Sequence, residues 1–349
     1  MLIFLILLMI LGVYKIKYCK VDYYNDYIKP ENMLSWKGIF VILIFLSHIN
    51  NSGYFKDLNL LDTTYLSINT KIGQLVVVLF LFLSGYGIIF QINKKGKEYV
   101  QSIFSRRFLK TLIHFDIIIV IFIIVQFLLG QKYSSLEMAK SLIGLESVGN
   151  SNWYIFAILY LYLSTYFSFK ISKGKNTGII INIVFVLLYI IMARKYLDFW
   201  WYDSIMCYIY GMLYYLFQEK IENLVQTNNI LYVILLFMSI FCYFGNICIY
   251  RVLPYNYIFY FTLNSLFILS FIILFSMKFR IKNKILDFFG KNIFGIYILQ
   301  RLSFIILSYF GLNRVNKYIF VCVALLFTIL LTIIINKALN KLDQVLFKS

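Results

Sequence analysis

The chain has 349 residues, 62% of them hydrophobic and only 14% charged, with a mean hydropathy of +0.81. Soluble globules carry about 45–50% apolar and about 25% charged residues, so this composition excludes an ordinary water-soluble domain. The formal net charge of +18 does not point to nucleic acid either, because no soluble basic surface remains once the apolar stretches are set aside.

A membrane-spanning helix needs about 20 mostly apolar residues. Stretches of that kind are predicted at 2–14, 38–55, 72–91, 111–129, 152–169, 177–193, 200–217, 229–249, 255–277, 292–310 and 318–336. The expected fold class is therefore all-α, a polytopic transmembrane helix bundle of about 10–11 spans. The first stretch is short enough for a signal peptide, but no A-x-A-like site follows it, and residues 1–20 are read as an N-terminal transmembrane anchor. Residues 34–336 form one membrane domain and 337–349 a cytoplasmic tail. No internal repeat is visible. Cys19, Cys207, Cys242, Cys248 and Cys322 show no C-x-x-C spacing, so buried or lipid-facing thiols are expected and no metal.

Basic residues mark the cytoplasmic loops of a membrane protein. With the N-terminus outside, 23 of the 33 Lys and Arg residues fall on one face, from Lys15 in the first loop to Lys348 at the end. The expected arrangement is a multi-pass cell-membrane protein with its C-terminus cytoplasmic.

Ionisable groups inside a bilayer cost about 2.5–3.5 kcal/mol each on insertion scales, so those that persist are functional candidates. Here they are His48, His114, Asp116, Asp203 and Arg301. His48 follows Lys37 by eleven positions, which at about 100° per residue returns both side chains to one helix face about 16 Å apart. A cation at the cytoplasmic mouth and a titratable imidazole deeper on the same wall suit acyl transfer from an anionic donor. A histidine simply bonded within the bundle is the plainer alternative. Arg106, Arg107 and Lys110 form a cationic cluster at a membrane mouth, fit for lipid headgroups or for donor phosphates. His114, one turn after Lys110, reads as a partner within that mouth. Ser84-Gly85 suits close helix packing or a substrate-lining role. Trp153 and Tyr154 suit an aromatic belt or sugar stacking. Asp203, near Arg194 and Lys195, suits a salt bridge or a bond to an acceptor hydroxyl. Arg301 lies about 13 Å into its helix and calls for an anionic partner: Asp116, Asp203, or a bound phosphate or thioester group.

Several segments taken together resemble the membrane acyltransferase 3 family. Lys37 and His48 reproduce its Lys/Arg-x10-His spacing, and Leu79-Phe80-Leu81-Phe82-Leu83-Ser84-Gly85-Tyr86 is similar to its F-F-x-L-S-G-F stretch. Ser105-Arg106-Arg107-Phe108-Leu109-Lys110 resembles its basic box, and Asn152-Trp153-Tyr154-Ile155-Phe156-Ala157 its W-F-x-x-A/G helix start. Gly290 to Gln300 resembles its G-x-x-S-F-G-I-Y-L-x-H box. Three departures stand out: Lys37 replaces the commoner Arg, no Pro follows the basic box, and Gln300 stands where many members have His. The resemblance implies transfer from an acyl-CoA, with acetyl-CoA the expected co-substrate and no bound cofactor. It implies that the acceptor is a surface glycan or its lipid-linked precursor, as in O-acetylation of capsular polysaccharide, with membrane lipids as further partners. His48 would be base or acyl carrier, with Lys37, Arg106, Arg107 and Lys110 holding the donor. Succinyl transfer to an exported polysaccharide is the alternative within the family. A glycan transporter is the alternative outside it, disfavoured by two prolines and no repeat.

Overall fold

In the computed structural model, residues 1–51 and 59–347 are described. Positions 52–55 of the second predicted span, and Lys348, lie outside the described residues. The helices in chain order are α1 (Leu2–Val13), α2 (Leu34–Asn51), α3 (Leu60–Ile72), α4 (Leu75–Lys95), α5 (Lys97–Ile103), α6 (Lys110–Leu128), α7 (Ser135–Leu142) and α8 (Trp153–Ile171). They continue with α9 (Lys175–Tyr196), α10 (Met206–Gln226), α11 (Asn229–Val252), α12 (Tyr257–Lys278), α13 (Lys284–Lys291), α14 (Ile293–Tyr309), α15 (Leu312–Val315) and α16 (Lys317–Leu346). The chain is thus an all-α polytopic bundle. Seven helices are long and apolar enough to cross a membrane, or eight if the α13–α14 pair, bent by 84°, is one span. The expectation of eleven also included α1 and α2, which are apolar but shorter. It included α10 as well, whose 21 residues carry Glu219, Lys220 and Glu222 near one end.

The helix starts are legible in the side chains. Asn228, Asn256, Asn283 and Asn316 each accept from two backbone amides at the first turns of α11, α12, α13 and α16. Asn59 with Asp62 and Ser134 with Glu137 form reciprocal capping boxes at α3 and α7. Each satisfies amide donors that no preceding turn can reach, for about 1 kcal/mol per cap.

Glycines set the closest helix approaches. A Cβ on Gly38 would run into the Leu286 carbonyl, and one on Gly290 into the Leu34 carbonyl, so α2 and α13 touch backbone to backbone. Gly85 and Gly211 do the same for α4 and α10, against Tyr208 and Phe82. Small residues permit this approach where lipid offers no hydrophobic drive to associate.

Two polar clamps complete the frame. Asp62, fully buried, pairs with the Met1 amine at 2.6 Å and with Lys317. Just after the C-terminal end of α12 a two-residue antiparallel pair sets Lys17 against Arg280 and Tyr18 against Phe279. There Arg280 pairs with Asp26 and lies over the Tyr24 ring at 4.0 Å, while Lys278 lies over Tyr23 at 4.1 Å.

The glycine contacts yield a direct expectation. Gly38→Val inserts carbon where the Leu286 backbone stands, and overpacking of this kind costs about 1–3 kcal/mol. The purified variant should unfold at lower temperature in detergent than the parent. Gly87→Ala, which meets open space, should not. Equal melting of the two variants would contradict the close α2–α13 contact.

Candidate active site

Three adjoining cavities lie along α2, α4, α6 and α14. The one farthest from the basic box, called the outer cavity below, is about 470 Å³ and is lined by His48, Ser47, Asn69, Gln74, Asn150, Ser151, Trp153, Trp200, Tyr297 and Arg301 among others. The middle one, also about 470 Å³, is lined by Lys37, Ser84, Gly87, Arg107, Thr111, Tyr154, Tyr162 and Tyr297. The third, about 460 Å³, is lined by Arg106, Arg107, Lys110, His114, Lys291, Asn292, Asn336, Asn340 and Asp343. Ile44, Val77 and Tyr297 border both the first and the second. Arg107, Thr111, Tyr162 and Phe294 border both the second and the third.

This order follows from helix periodicity. Lys37, Ile44 and His48 are spaced by seven and four residues, so they fall on one stripe of α2. That stripe faces the cavities: Lys37 opens into the middle one, His48 into the outer one, and Ile44 into both. A larger, almost wholly apolar cavity between α10, α11 and α12 contains none of the ionisable candidates.

The imidazole of His48 is held by its neighbours. Gln300 Nε2 lies 2.9 Å from Nδ1 and donates at 2.9 Å to the Tyr297 carbonyl. A carboxamide oxygen could not face that carbonyl, so the amide end of Gln300 is turned to His48, whose Nδ1 carries the lone pair. Arg301 Nε donates to Ser151 Oγ at 2.8 Å, and that hydroxyl lies 3.4 Å from the same Nδ1. The Tyr297 ring stands 6.1 Å from the imidazole and 5.5 Å from the Tyr154 ring.

The basic box sits on a π-helix, Phe104–Leu109, between α5 and α6. The wider turn brings the adjacent Arg106 and Arg107 both to the third cavity, and such insertions recur at functional sites. Arg107 Nε donates to the Tyr99 hydroxyl at 3.2 Å. Lys110 and His114 both reach Asp343, at 2.7 Å each.

The remaining candidates separate. Ser84 lines the middle cavity while Gly85 packs against Tyr208, so the two readings of that pair fall to adjacent residues. Trp153 faces the outer cavity and Tyr154 the middle one. Asp203 lines none of the three. Its two carboxyl oxygens are buried without a hydrogen-bond partner, and Arg194 and Lys195 remain exposed. The expected salt bridge does not form, because those cations stay in contact with the surroundings of the last turn of α9. Neither Asp116 nor Asp203 pairs with Arg301. Asp116 lies 200° around α6 from His114, off the face that lines the mouth, and its Oδ1 has no partner.

Gln300, Ser151, Tyr297 and Asp343 are the site residues that sequence reasoning passed over as actors. Gln300 and Tyr297 were visible only as motif positions. Ser151 lies in a connection without periodicity, and Asp343 stands where α16 continues past residue 336.

The Acyl_transf_3 family, described as an acyltransferase domain, matches residues 35–337. No curated protein and no solved structure gives a match. With the family pattern covering most of its length, on an all-helical membrane bundle, the chain belongs to the acyltransferase 3 family.

Proposed function

We propose that the chain moves an acetyl group from cytoplasmic acetyl-CoA to a hydroxyl of a surface glycan or its lipid-linked precursor, as in O-acetylation of a capsular polysaccharide. The observation that carries this reading is the position of His48 in the outer cavity, one turn of α2 from Ile44, which borders the middle cavity as well. On one side lie Lys37, Arg107 and a cationic mouth, suited to the phosphates of coenzyme A. On the other lie amides, hydroxyls and two tryptophans, suited to a sugar. Lys37, Arg106, Arg107 and Lys110 hold the donor in this scheme. Ser84 and Tyr154 line its path, and Trp153 and Arg301 face the acceptor.

In the reaction, the acceptor hydroxyl displaces the Gln300 amide from the single lone pair of His48 Nδ1, along with the long Ser151 contact, and gives its proton to that nitrogen. Its oxygen attacks the thioester carbonyl, the C–S bond breaks, and the departing thiolate takes the proton from the imidazolium. The same geometry serves a route in which the imidazole first carries the acetyl group. Before either route begins, the Gln300 amide keeps His48 Nδ1 unprotonated.

A positioned general base contributes about 10²–10⁴ in rate. His48→Ala should therefore lose detectable acylation of the cell-surface glycan at normal protein level, whereas His114→Ala should keep much of it, since water and Lys110 can satisfy Asp343. An inactive His114→Ala beside an active His48→Ala would remove the assignment. Activity in both would favour transport.

Charge-assisted hydrogen bonds are worth about 1.5–3 kcal/mol, and a contact kept in ground and transition states acts on binding first. Arg107→Gln should raise the apparent KM for acetyl-CoA about tenfold and leave that for the glycan nearly unchanged. An unchanged donor KM would reduce the basic box to a lipid anchor.

The one-sided distribution of Lys and Arg puts the Lys94–Lys110 region in the cytoplasm in this reading. In a cysteine-free background, Lys97→Cys should resist an impermeant maleimide in intact cells and react after permeabilisation. Ready labelling of intact cells would reverse the orientation and the side from which the donor comes.

A further inference from the structure

We propose that Asp343 is a positioning residue of the donor site: it competes with the phosphates of acyl-CoA for Lys110 and thereby limits how tightly the mouth holds both the donor and the spent coenzyme. This rests on the acyltransferase reading and adds control of donor affinity to it.

Helix periodicity brings Asp343 to the mouth. The matched family region ends at residue 337, whereas α16 runs on to Leu346. Asn336, Leu339, Asn340 and Asp343 all line the third cavity. Their spacings of three, one and three residues put them on one stripe of that helix. The stripe is anchored at its start, where Asn336 Nδ2 donates to Asn292 Oδ1 at 2.9 Å. The last turns of α16 thus form one wall of the mouth, and the first turns of α6 form another.

The carboxylate meets two partners at once. Its Oδ2 lies 2.7 Å from Lys110 Nζ and its Oδ1 2.7 Å from His114 Nε2. Lys110 and His114 are four residues apart on α6, so one carboxylate can bridge them. The two contacts are unlike. The Lys110 side chain is 38% exposed, and its ammonium carries three donors on a flexible stem, so it can turn to a phosphate. His114 is 13% exposed and packs edge-on against Phe294, ring centroids 6.0 Å apart. It keeps the other oxygen, so the carboxylate stays at the mouth when the lysine turns away.

The charge pattern is costly for a site that has only to bind. Among the described lining residues of this cavity, Asp343 is the one acid beside Arg106, Arg107, Lys110 and Lys291. A bridge with so exposed a lysine adds little to stability. Tying α6 to α16 is therefore a weak reason to set an acid among phosphate-binding cations. A phosphate entering the mouth must break the Asp343 contact before Lys110 can serve it, which weakens binding. Acyl-CoA and coenzyme A carry the same phosphates, so the penalty falls on both alike.

The test is binding of coenzyme A to the detergent-purified full chain by isothermal titration calorimetry, with the KM for acetyl-CoA measured in turnover. Asp343→Asn should tighten coenzyme A about fivefold, the most that a partly exposed ion pair usually contributes, and lower the KM for acetyl-CoA by a similar factor. Asp343→Ser is a second neutral variant and should do the same. Asp343→Glu, which keeps the charge, should stay near the parent. In a Lys110→Gln background the Asp343→Asn change should gain little, since no lysine is there to release. A bridge that only ties helices predicts neutral variants that melt earlier and bind no tighter than the parent, and that result overturns the inference. An undiminished gain in the Lys110→Gln background overturns it too, because the carboxylate then acts on the ligand directly. Either result leaves the acyltransferase reading intact so long as the parent binds coenzyme A. A parent that neither binds coenzyme A nor turns over acetyl-CoA removes both.

Discussion

Hydrocarbon offers no hydrogen-bond partner, and every polar side chain of this bundle is placed under that constraint. The apolar faces can meet lipid without penalty, so polar groups collect where helices face one another. Serine and threonine hydroxyls inside the bundle return to carbonyls of the preceding turn, as Thr165, Ser168, Ser265 and Thr328 do. What is left over lines a column of cavities: His48, Ser151 and Arg301 at one level, with Gln300 bonded behind His48, and Lys37 and Arg107 at another. The column needs walls that do not slide. The Gly38–Leu286 and Gly85–Tyr208 contacts supply them by fixing α2 against α13 and α4 against α10. His48 and Lys37 ride on α2, and Ser84 and Val77 on α4. The reactive level is thus set by backbone contact rather than by flexible side chains.

The apolar stretches were legible because hydropathy over about 20 residues survives any rearrangement of tertiary contacts. The Lys37–His48 stripe was legible for a related reason: an uninterrupted helix preserves angular spacing over eleven residues. The basic box was legible as charge but not as geometry. An α-helical reading puts Arg106 and Arg107 100° apart, and no residue pattern announced the π-turn that gathers them at one cavity. Contacts between distant helices left no local trace. Asp343 meets Lys110 and His114 across more than 200 positions, and its segment looked like a polar tail because amphipathic last turns and tails share a composition. Asp203 was misjudged the other way, since proximity in sequence to Arg194 and Lys195 suggested a partner that folding turned outward.

Gln300 changes the character of the centre. The related pattern has histidine there in many members, a group that can donate, accept or ionise. A carboxamide never ionises, and with its amide committed to both the Tyr297 carbonyl and His48 Nδ1 it holds one arrangement. In the proposed reaction the imidazole of His48 is then the side chain left to accept the hydroxyl proton, because a carboxamide cannot and Arg301 stays charged. Exchange of Gln300 for His in this family is in that sense a loss of one titrating site and a gain in definition of the other.

In the proposed reaction the two ends of the column also differ in what they must release. A mouth made only of cations would hold the spent coenzyme as firmly as the acyl donor, because both carry the same phosphates, and tight binding of product slows turnover. Asp343 alters that balance. By engaging Lys110 and His114 at 2.7 Å, it leaves Arg106, Arg107 and Lys291 as the mouth's unshared cations among its lining residues. Attraction for a polyanion then remains, reduced by about one charge. Phosphates approaching the mouth compete with Asp343 for Lys110, so the carboxylate is ready to reclaim the lysine when the coenzyme leaves. The described lining of the outer cavity is instead rich in amides and hydroxyls and carries two tryptophans. Partly neutralised attraction for a donor that must come and go, set against hydrogen bonding and stacking for an acceptor that must be aligned, is the division of labour that the proposed reaction asks of these two linings.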